Sequence, residues 1–354
     1  RVLFRSYPRS LRAMLADHKT RVSELLAQAK DKKQAADALG ELAQLAAKAE
    51  LESVLVTALP QVIEAIGDKQ KTTQAAATQV LEAIVSGLPA WSAVHVLPSL
   101  MQGMSSSMKP AQKEASLKVL AGLAKSSPKA VGRSLVDLIP LVSGLIWDAK
   151  KDVKAAAVTA LESICYCSGN DDIAVFVPQL SQAIQNPELV PETVEGLAGC
   201  VFVQEVEAAA LAITTPVLLR GLNGKTDVKR KCCIIIENMC KLVNDSREVA
   251  PLLKDVKPQM ELQKEGISDP EAREVAERCR DTIAKIAKAD PKPEAQVKDL
   301  FMKHGCMVAS WSEAQMEFVQ VVANAMNKNN IAEDEHWVET FSCLPGANKD
   351  TIIK

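Results

Sequence analysis

Hydrophobic and polar positions repeat along the chain in blocks of about forty residues, each made of two apolar stripes separated by a polar turn. The first stripe of each block contains a proline, and successive prolines are 38 or 42 residues apart. The second stripe is longer and has an apolar residue at every third or fourth position, which is the spacing of one face of an α-helix. The marker prolines are Pro60, Pro98, Pro140, Pro178, Pro216 and, in a weaker copy, Pro258.

Each block predicts a pair of antiparallel helices. Proline fits the first turn or a kink of the first helix, where its missing N–H costs least. The polar turns include Asp152-Val153-Lys154 and Asp227-Val228-Lys229, whose aspartates are expected to cap the second helix and favour its positive end. One helix pair cannot bury its own apolar face, so successive pairs must stack around a continuous core. The predicted fold is therefore all-α, a HEAT-repeat or armadillo-type solenoid of about seven helix pairs followed by a small helical segment.

Changes in this pattern predict three regions. A degenerate unit upstream of the first marker proline starts the solenoid at residue 18, which leaves residues 1–17 as an N-terminal extension. The solenoid covers residues 18–289, and Asn186–Pro191 replaces the usual polar turn in one block, so the second helix there is expected to begin late, near Glu192. Two prolines within Asp290–Pro293 end the repeats. Residues 290–354 are predicted to form a helical tail.

Composition places the chain among globular proteins and excludes several classes. Of 354 residues, 47% are hydrophobic, 24% are charged and 3% are aromatic, which favours packed helices over sheets. The net charge of -2 gives no global signal for nucleic acid, and no apolar run is long enough for a transmembrane helix. The nine cysteines lie mostly in apolar helical stretches and are predicted to be reduced and buried.

The sequence offers no motif for catalysis or for metal or nucleotide binding. Gly221–Thr226 imitates only the end of a nucleotide-binding loop, and it is predicted to be a turn between two helices. His304-x-Cys306 and Cys165-x-Cys167 each lack a second pair at metal-ligand spacing. Four scattered histidines and the lack of a Gly-x-Ser-x-Gly elbow give no support for acid–base or nucleophilic chemistry. We therefore expect no enzyme activity, cofactor, metal site or small-molecule substrate for this chain itself.

Lysine and arginine residues recur at the polar turns and in the first turns of the second helices. Equivalent positions of a solenoid lie along one edge, so these cations are expected to form a basic stripe that suits a phosphate backbone. Interleaved aspartates such as Asp148, Asp152 and Asp227 support the alternative of an ordinary solvated face, and both interpretations stay open. The pattern interleaves no aromatic residues, which favours structured RNA or a protein surface over stacking on single strands. The candidate contact residues are Lys225, Lys229, Arg230, Lys231, Lys150, Lys151, Lys154 and Arg273.

One stretch, residues 215–283, resembles a known family. It closely resembles the end of the HEAT domain of the translation elongation factor 3 family, the fungal-type ATPases of the ribosome, and the repeat layout extends the resemblance towards the N-terminus. The HEAT block of a ribosome-binding activator of the starvation-response kinase is similar but less close. The tail around Trp337 resembles the start of the family's four-helix bundle. The runs that carry the main resemblance are Thr215–Leu222, Val228–Lys231, Ile235–Val243, Val249–Leu253 and Asp269–Val275.

The resemblance implies a function in translation. The family's HEAT domain is an arm that contacts both ribosomal subunits, and its two downstream ATP-binding cassettes, which drive release of deacylated tRNA, are absent from these 354 residues. We therefore expect a cytoplasmic ribosome-docking arm that binds rRNA and ribosomal proteins through its basic edge, without membrane insertion. Two alternatives stay open. For the function, the alternative is a protein–protein scaffold or adaptor with no translational role. For the location, the alternative is an organelle, because the Arg/Ser-rich start resembles part of a transit segment.

Overall fold

The chain folds as a series of helices. A computed structural model describes residues 9–31, 33–46, 52–88, 93–243, 256–262 and 267–286, and all regular structure in these ranges is helical. The predicted tail at 290–354 and residues 1–8 of the predicted extension lie outside the described residues. The α-helices are α1 (Arg9–Gln28), α2 (Ala35–Ala46), α3 (Glu52–Ile66), α4 (Lys71–Gly87), α5 (Ala93–Gly103), α6 (Pro110–Ser126), α7 (Pro128–Arg133), α8 (Leu135–Leu145), α9 (Lys151–Cys165), α10 (Asp171–Ala174), α11 (Val177–Gln185), α12 (Val190–Ala198), α13 (Ala208–Gly221), α14 (Thr226–Lys241), α15 (256–262) and α16 (Pro270–Ile286).

Fourteen of these helices form seven consecutive pairs, called pair 1 to pair 7. Among the first helices, α3 contacts both α1 and α5, and among the second helices contacts join α2 to α4, α6 to α9 and α14 to α16. One hydrophobic core continues through the described residues of all seven pairs. The prediction of an all-α solenoid of about seven pairs is therefore confirmed. The pairs are α1–α2, α3–α4, α5–α6, α8–α9, α11–α12, α13–α14 and α15–α16.

Each helix buries one face, and glycines let the two helices of a pair come close. In α9 the buried residues recur with helical spacing from Val153 to Ile164. Gly221 ends α13 so near to α14 that a Cβ at this position would collide with Sγ of Cys232. Gly103 at the end of α5 lies equally close to Oγ of Ser116 in α6. Glycine at the end of the first helix is thus a packing requirement in pairs 3 and 6.

The marker prolines lie mostly in the interior of the first helices. Pro60, Pro98, Pro140 and Pro216 are inside α3, α5, α8 and α13, whereas Pro178 stands in the first turn of α11. An interior proline removes one backbone hydrogen bond and bends the helix. Of the two positions expected for proline, the interior one is therefore the commoner in this solenoid.

Acidic and amide side chains close the turn between the two helices of a pair. Oδ1 of Asp68 accepts a hydrogen bond from the backbone N–H of Gln70 at 2.7 Å, and Oδ1 of Asp148 accepts one from Lys150 at 2.9 Å. Such Asx turns mimic a backbone turn and hold the chain in a tight reversal. The same side-chain device therefore shapes the turn in pairs 2 and 4.

The capping predicted from sequence is only partly correct. Asp269 caps α16, since its Oδ2 accepts a hydrogen bond from the backbone N–H of Ala272 at 2.9 Å. Asp152 and Asp227 instead lie within the first turns of α9 and α14, and the N-cap residues there are Lys150 and Lys225. The expected capping by Asp152 and Asp227 is wrong, although a carboxylate in the first turn still favours the positive end of a helix.

Pair 5 departs from the regular stacking. A 3-10 turn at Pro187–Leu189 follows α11, and α12 begins at Val190, so the predicted late start near Glu192 is confirmed to within two residues. Helix α13 contacts α8 of pair 4 as well as both helices of pair 5. The connection before α13 is held by Asp172, whose Oδ2 accepts hydrogen bonds from the backbone N–H groups of Val203 and Gln204 at 2.7 and 2.8 Å.

Side-chain hydrogen bonds join successive pairs. Nε2 of Gln112 in α6 donates to the carbonyl oxygen of Ile63 in α3 at 2.8 Å. Nη1 of Arg220 in α13 donates to the carbonyl oxygens of Ala183 and Ile184 in α11, at 3.0 and 2.7 Å. These carbonyl groups lie in the last turns of their helices, where a backbone carbonyl oxygen has no N–H partner within the helix. Each of these pairs therefore completes the end of the pair before it.

Candidate nucleic-acid interface

The candidate interface is the edge formed by the turns within the pairs and the first one or two turns of the second helices. We call it the turn edge; in pairs 2 to 7 it comprises residues 67–72, 104–113, 146–154, 186–195, 222–231 and 267–273. Stacked repeats bring equivalent positions side by side, so these segments follow one another along the solenoid. All eight contact residues predicted from sequence lie on the turn edge, in pairs 4, 6 and 7.

Pair 4 presents three lysines to solvent. Lys150, Lys151 and Lys154 are exposed, and their ammonium groups form no ion pair with any residue that the structure describes. The nearby Asp148 is bound elsewhere, because its Oδ2 accepts from Nζ of Lys113 in pair 3 at 3.1 Å. The backbone N–H of Lys150 and then the Lys113 ammonium lower the pKa of Asp148 below its usual value. Asp148 is thus bound mainly to its own turn and to Lys113, and the charge of Lys154 adds a smaller lowering of its pKa.

Two of the cations of pair 6 are engaged in ion pairs with neighbouring pairs. Nη2 of Arg230 lies 2.5 Å from Oε1 of Glu271 in pair 7. Nζ of Lys231 contacts Oδ2 of Asp227 at 2.8 Å and also the carboxylate of Glu195 in pair 5. Hydrogen bonds to Asp227 and Glu195 raise the pKa of Lys231 above its ordinary value. Much of the positive charge of Arg230 and Lys231 is therefore compensated within the protein.

The other three predicted contact residues of pairs 6 and 7 differ among themselves. Lys225 is exposed and Lys229 is half-buried, and neither forms an ion pair within the described part of the chain. The Arg273 guanidinium donates from Nη2 and Nε to the carbonyl oxygen of Ile267 at 2.9 and 3.1 Å, so it closes its own turn. Only Lys225 and Lys229 of this group keep their charge available in the way that the lysines of pair 4 do.

Pair 5 interrupts the basic stripe. Its part of the turn edge contributes the exposed carboxylates Glu188, Glu192 and Glu195. On the N-terminal side of pair 4, pairs 2 and 3 add the exposed Lys69, Lys71 and Lys109. The turn edge thus has a basic part in pairs 2 to 4 and a mixed part in pairs 5 to 7.

Several lysines occupy helix positions that local stability disfavours. The N-cap residue is Lys109 in α6, Lys150 in α9 and Lys225 in α14. Ser, Thr, Asp and Asn are preferred at the N-cap, and a cation near the positive end of the helix dipole costs about 0.3–1 kcal/mol. Nζ of Lys109 recovers part of this cost by donating to the carbonyl oxygen of Gly67, whereas Lys150 and Lys225 have no such contact among the described residues. Lys150 and Lys225 therefore occupy positions that helix stability alone does not explain.

One aromatic residue on the turn edge was missed by sequence reasoning. Trp147 directly precedes Asp148 in the turn of pair 4, and 62% of its surface is exposed. The expectation that no aromatic residue interleaves with the cations is therefore wrong in pair 4. The signal in the sequence is a tryptophan one residue before the Asx turn.

The described cysteines contribute no reactive thiol to this edge. The described cysteines are unpaired and buried, apart from the half-buried Cys200, as predicted; Cys306 and Cys343 lie outside the described residues. Burial raises the pKa of Cys165, Cys232, Cys233 and Cys240 to about 12, so each is a neutral thiol at physiological pH. No group of three metal-ligating side chains converges within the described ranges.

Two further predictions from the sequence concern the segment Gly221–Thr226 and membrane-spanning helices. Gly221–Thr226 spans the end of α13, a short turn and the start of α14, so this apparent nucleotide-binding loop is a helix–helix turn, as predicted. None of the helices that the structure describes combines the length and the apolar character needed to cross a membrane.

The stacked helix pairs and their shared edge define a HEAT-repeat solenoid. Residues 11–161 match the family model described as the EF3 N-terminal HEAT repeat, and residues 188–294 match the Elongation factor 3/GNC1 HEAT repeat. Over these residues the chain belongs to the HEAT-repeat region of the elongation factor 3 family. The family resemblance seen in the sequence is confirmed.

Curated relatives give the same result. The chain is 34% identical to elongation factor 3 of Zygosaccharomyces rouxii over 326 residues, which cover 87% of this chain and 31% of that protein. It is 39% identical to elongation factor 3 of Phytophthora infestans over 234 residues, covering 66% of this chain and 22% of that protein. Elongation factor 3A of Saccharomyces cerevisiae is 37% identical over 268 residues, which cover 74% of this chain and 26% of that protein. The chain therefore spans about a third or less of the length of these relatives.

Two solved structures have a weak likeness to this chain. A designed armadillo repeat protein is 17% identical with a TM-score of 0.31, covering 73% of this chain and 98% of that one. Kap121p in its complex with Pho4p is 14% identical with a TM-score of 0.33, covering 93% of this chain and 33% of that one.

Proposed function

We propose that this chain is the ribosome-docking arm of an elongation factor 3-like protein and that its turn edge binds rRNA and ribosomal proteins. The observation that carries the proposal is the cluster Lys150, Lys151 and Lys154, which is exposed, unpaired among the described residues and fixed by the turn of pair 4. Membership of the elongation factor 3 HEAT family supports the choice of the ribosome as partner.

The eight predicted contact residues take unequal parts in this proposal. Lys150, Lys151 and Lys154 form the main contact, and Lys225 and Lys229 provide a second one. Arg230, Lys231 and Arg273 are already bound to groups of the protein, so we expect them to contribute less. Lysines that neutralise phosphates release condensed counterions, and the affinity then falls steeply with salt.

The proposal assigns docking, and not ATP turnover, to this chain. The matched family models are HEAT repeats, and the relatives are much longer than the matched region. The family's ATP-binding cassettes lie outside the HEAT domain, so the power for tRNA release would come from another part of a full-length factor. A cytoplasmic location belongs to the same proposal.

Co-sedimentation with purified ribosomes between about 50 and 300 mM salt tests the proposal. We expect wild-type binding to weaken with a log–log slope of several units, and the triple variant Lys150→Gln, Lys151→Gln, Lys154→Gln to lose about two units of that slope. A matched control removes three exposed lysines from helices outside the turn edge, Lys19, Lys125 and Lys285, and should bind like wild type. Wild-type behaviour of the turn-edge variant, or no binding at the lowest salt, would contradict the proposal.

The variant Lys229→Glu, Arg230→Glu, Lys231→Glu tests the pair 6 contact in the same assay. Undiminished co-sedimentation of this variant would remove pair 6 from the interface. A protein–protein scaffold is the second candidate function, and the exposed valines Val175, Val201 and Val203 around pair 5 favour it. That function predicts a protein partner and binding that depends only weakly on salt.

A further inference from the structure

We propose that Trp147, together with the lysines of pair 4, forms a binding site for an unpaired RNA base. In this site the indole ring stacks on the base, and Lys150, Lys151 and Lys154 contact the phosphates on either side. The inference rests on the proposed function and deepens it, because it names the structural feature of RNA that pair 4 recognises.

The indole ring of Trp147 is largely exposed to solvent. Trp147 has 62% of its surface exposed, in a chain where only 3% of residues are aromatic. Tryptophan offers a large flat surface for stacking, and exposing it to water has a cost that binding would recover. Its position in a turn, rather than on a helix face, leaves room for a base to approach the ring.

The turn that carries Trp147 is held in place by hydrogen bonds and an ion pair. The backbone N–H of Trp147 donates to the carbonyl oxygen of Gly144 at 3.4 Å. The next residue, Asp148, binds both the backbone N–H of Lys150 at 2.9 Å and Nζ of Lys113 at 3.1 Å. Only 11% of the Lys113 side chain and 15% of the Asp148 side chain are exposed, so water competes weakly for this contact. A preorganised turn loses little entropy when it binds.

The positive charge around Trp147 favours RNA over a protein surface as the partner. Lys150, Lys151 and Lys154 have no ion-pair partner among the described residues, and the exposed Asp152 offsets only part of their charge. An aromatic ring beside several lysines is the combination that binds a base and its phosphates. A protein hot spot is also often a tryptophan, but a cluster of free lysines around it needs an acidic partner surface as well.

The sequence offers a matched control residue in the same helix pair. Tyr166 follows the last residue of α9 and is 63% exposed, almost the same as Trp147 at the other end of this helix. A helix of 15 residues is about 22 Å long, so Tyr166 lies far from the turn edge. Exposed aromatic surface as such would make both residues contribute, whereas the proposed site needs only Trp147.

The test is a titration of the full chain with short oligoadenylate, oligouridylate and a blunt RNA duplex, followed by tryptophan fluorescence and by filter binding. We expect the single strands to quench the wild-type fluorescence and Trp147→Ala to weaken their binding roughly ten-fold. Trp147→Phe should keep most of the affinity, and Tyr166→Ala should bind like wild type. Binding of the duplex should be insensitive to Trp147→Ala and sensitive to the Lys150, Lys151, Lys154 triple variant.

The outcomes separate this inference from the proposed function. Equal binding of single strands by wild type and Trp147→Ala overturns the stacking site, even if the lysine variant shows that charge-driven docking is real. A loss of ribosome binding without a loss of oligonucleotide binding in Trp147→Ala assigns the residue to a ribosomal protein and also overturns the inference. If wild type binds no oligonucleotide, the inference fails, and ribosome co-sedimentation decides the proposed function independently.

Discussion

The turn edges of pair 4 and pair 6 have nearly the same sequence pattern and opposite electrostatic surroundings. Both contain an Asp-Val-Lys turn, Asp152–Lys154 in pair 4 and Asp227–Lys229 in pair 6, with further cations beside it. In pair 4 the lysines are free of ion pairs among the described residues, because neighbouring pair 3 supplies a lysine and not a carboxylate to the turn. In pair 6, carboxylates from pairs 5 and 7 reach Lys231 and Arg230. The neighbours of a repeat therefore decide whether its cations are available to a partner.

The difference also extends into the core. Glu237 of α14 is 2% exposed and binds Nε of Arg278 in α16 at 2.9 Å and Nζ of Lys241 at 2.7 Å. Burial alone would raise its pKa, but hydrogen bonds from Lys241 and Arg278 outweigh it and lower the pKa of Glu237 below its usual value. The buried carboxylate of Glu237 thus links pair 6 to pair 7. Pair 4 is linked to pair 3 by the contact between Asp148 and Lys113, and its Lys150, Lys151 and Lys154 are exposed.

The largest expected effect is on stability, from Glu237→Gln. Breaking a buried ion pair costs up to about 5 kcal/mol, and the exposure of both partner cations reduces our expectation to about 2 kcal/mol, measured by urea unfolding. Since the folded pKa is lowered from 4.5, this stabilisation is present above pH 4.5 and is lost as the pH falls through the folded pKa. Glu162→Gln, at an exposed position of α9, is the control and should change neither stability nor its pH dependence. A wild-type pH profile in Glu237→Gln would refute this assignment.

The next effect is on ribosome binding and compares matched double variants of the two pairs. Lys150→Gln with Lys151→Gln should reduce affinity about ten-fold at low salt, because two free charges are lost. Arg230→Gln with Lys231→Gln should reduce it only about two-fold, since these cations are already compensated within the protein. Co-sedimentation at fixed salt measures both. Equal losses would show that the internal ion pairs of pair 6 open on binding, and the contrast between the pairs would disappear.

The smallest effect concerns the N-cap lysines. Lys150→Ser and Lys225→Ser should each stabilise the chain by about 0.5–1 kcal/mol, because serine caps a helix and removes a cation from its positive end. Lys150→Ser should at the same time weaken ribosome binding more than Lys225→Ser does. Urea unfolding together with co-sedimentation measures the two consequences. If the free energy of unfolding is unchanged or lower in both variants, a lysine at the N-cap does not destabilise these helices.

The repeat architecture could be predicted from sequence because it depends on local patterns. Proline spacing and helical periodicity gave the seven pairs, and even the delayed second helix of pair 5 followed from Asn186–Pro191. The same patterns placed all eight candidate residues on one edge. Helix capping was harder to predict, because a sequence pattern does not fix the first residue of a helix to within one or two positions. The N-caps of α9 and α14 are Lys150 and Lys225, and Asp152 and Asp227 lie one turn further in.

The availability of each charge could not be predicted from sequence. Glu195 and Glu271, which pair with Lys231 and Arg230, lie 36 and 41 residues away, so only the stacking of pairs brings them within reach. Asp227, the other partner of Lys231, is four residues away and is the one that helical spacing indicates. Periodicity says which residues share an edge but does not fix which side chains meet across it. Trp147 was missed for a related reason, since an apolar residue at the end of an apolar stripe gives no sign that the fold leaves it exposed.

The hydrogen bonds of Arg220 have a consequence for where the chain can be divided. Its guanidinium completes the end of α11, so a fragment that stops between pairs 5 and 6 would leave two carbonyl oxygens without their donor. Helix α13 also reaches back to α8, which ties pair 6 to pair 4 across pair 5. We therefore expect pairs 4 to 6 to unfold as one cooperative block, so that a truncation series shows a single lost unit there and not three independent ones.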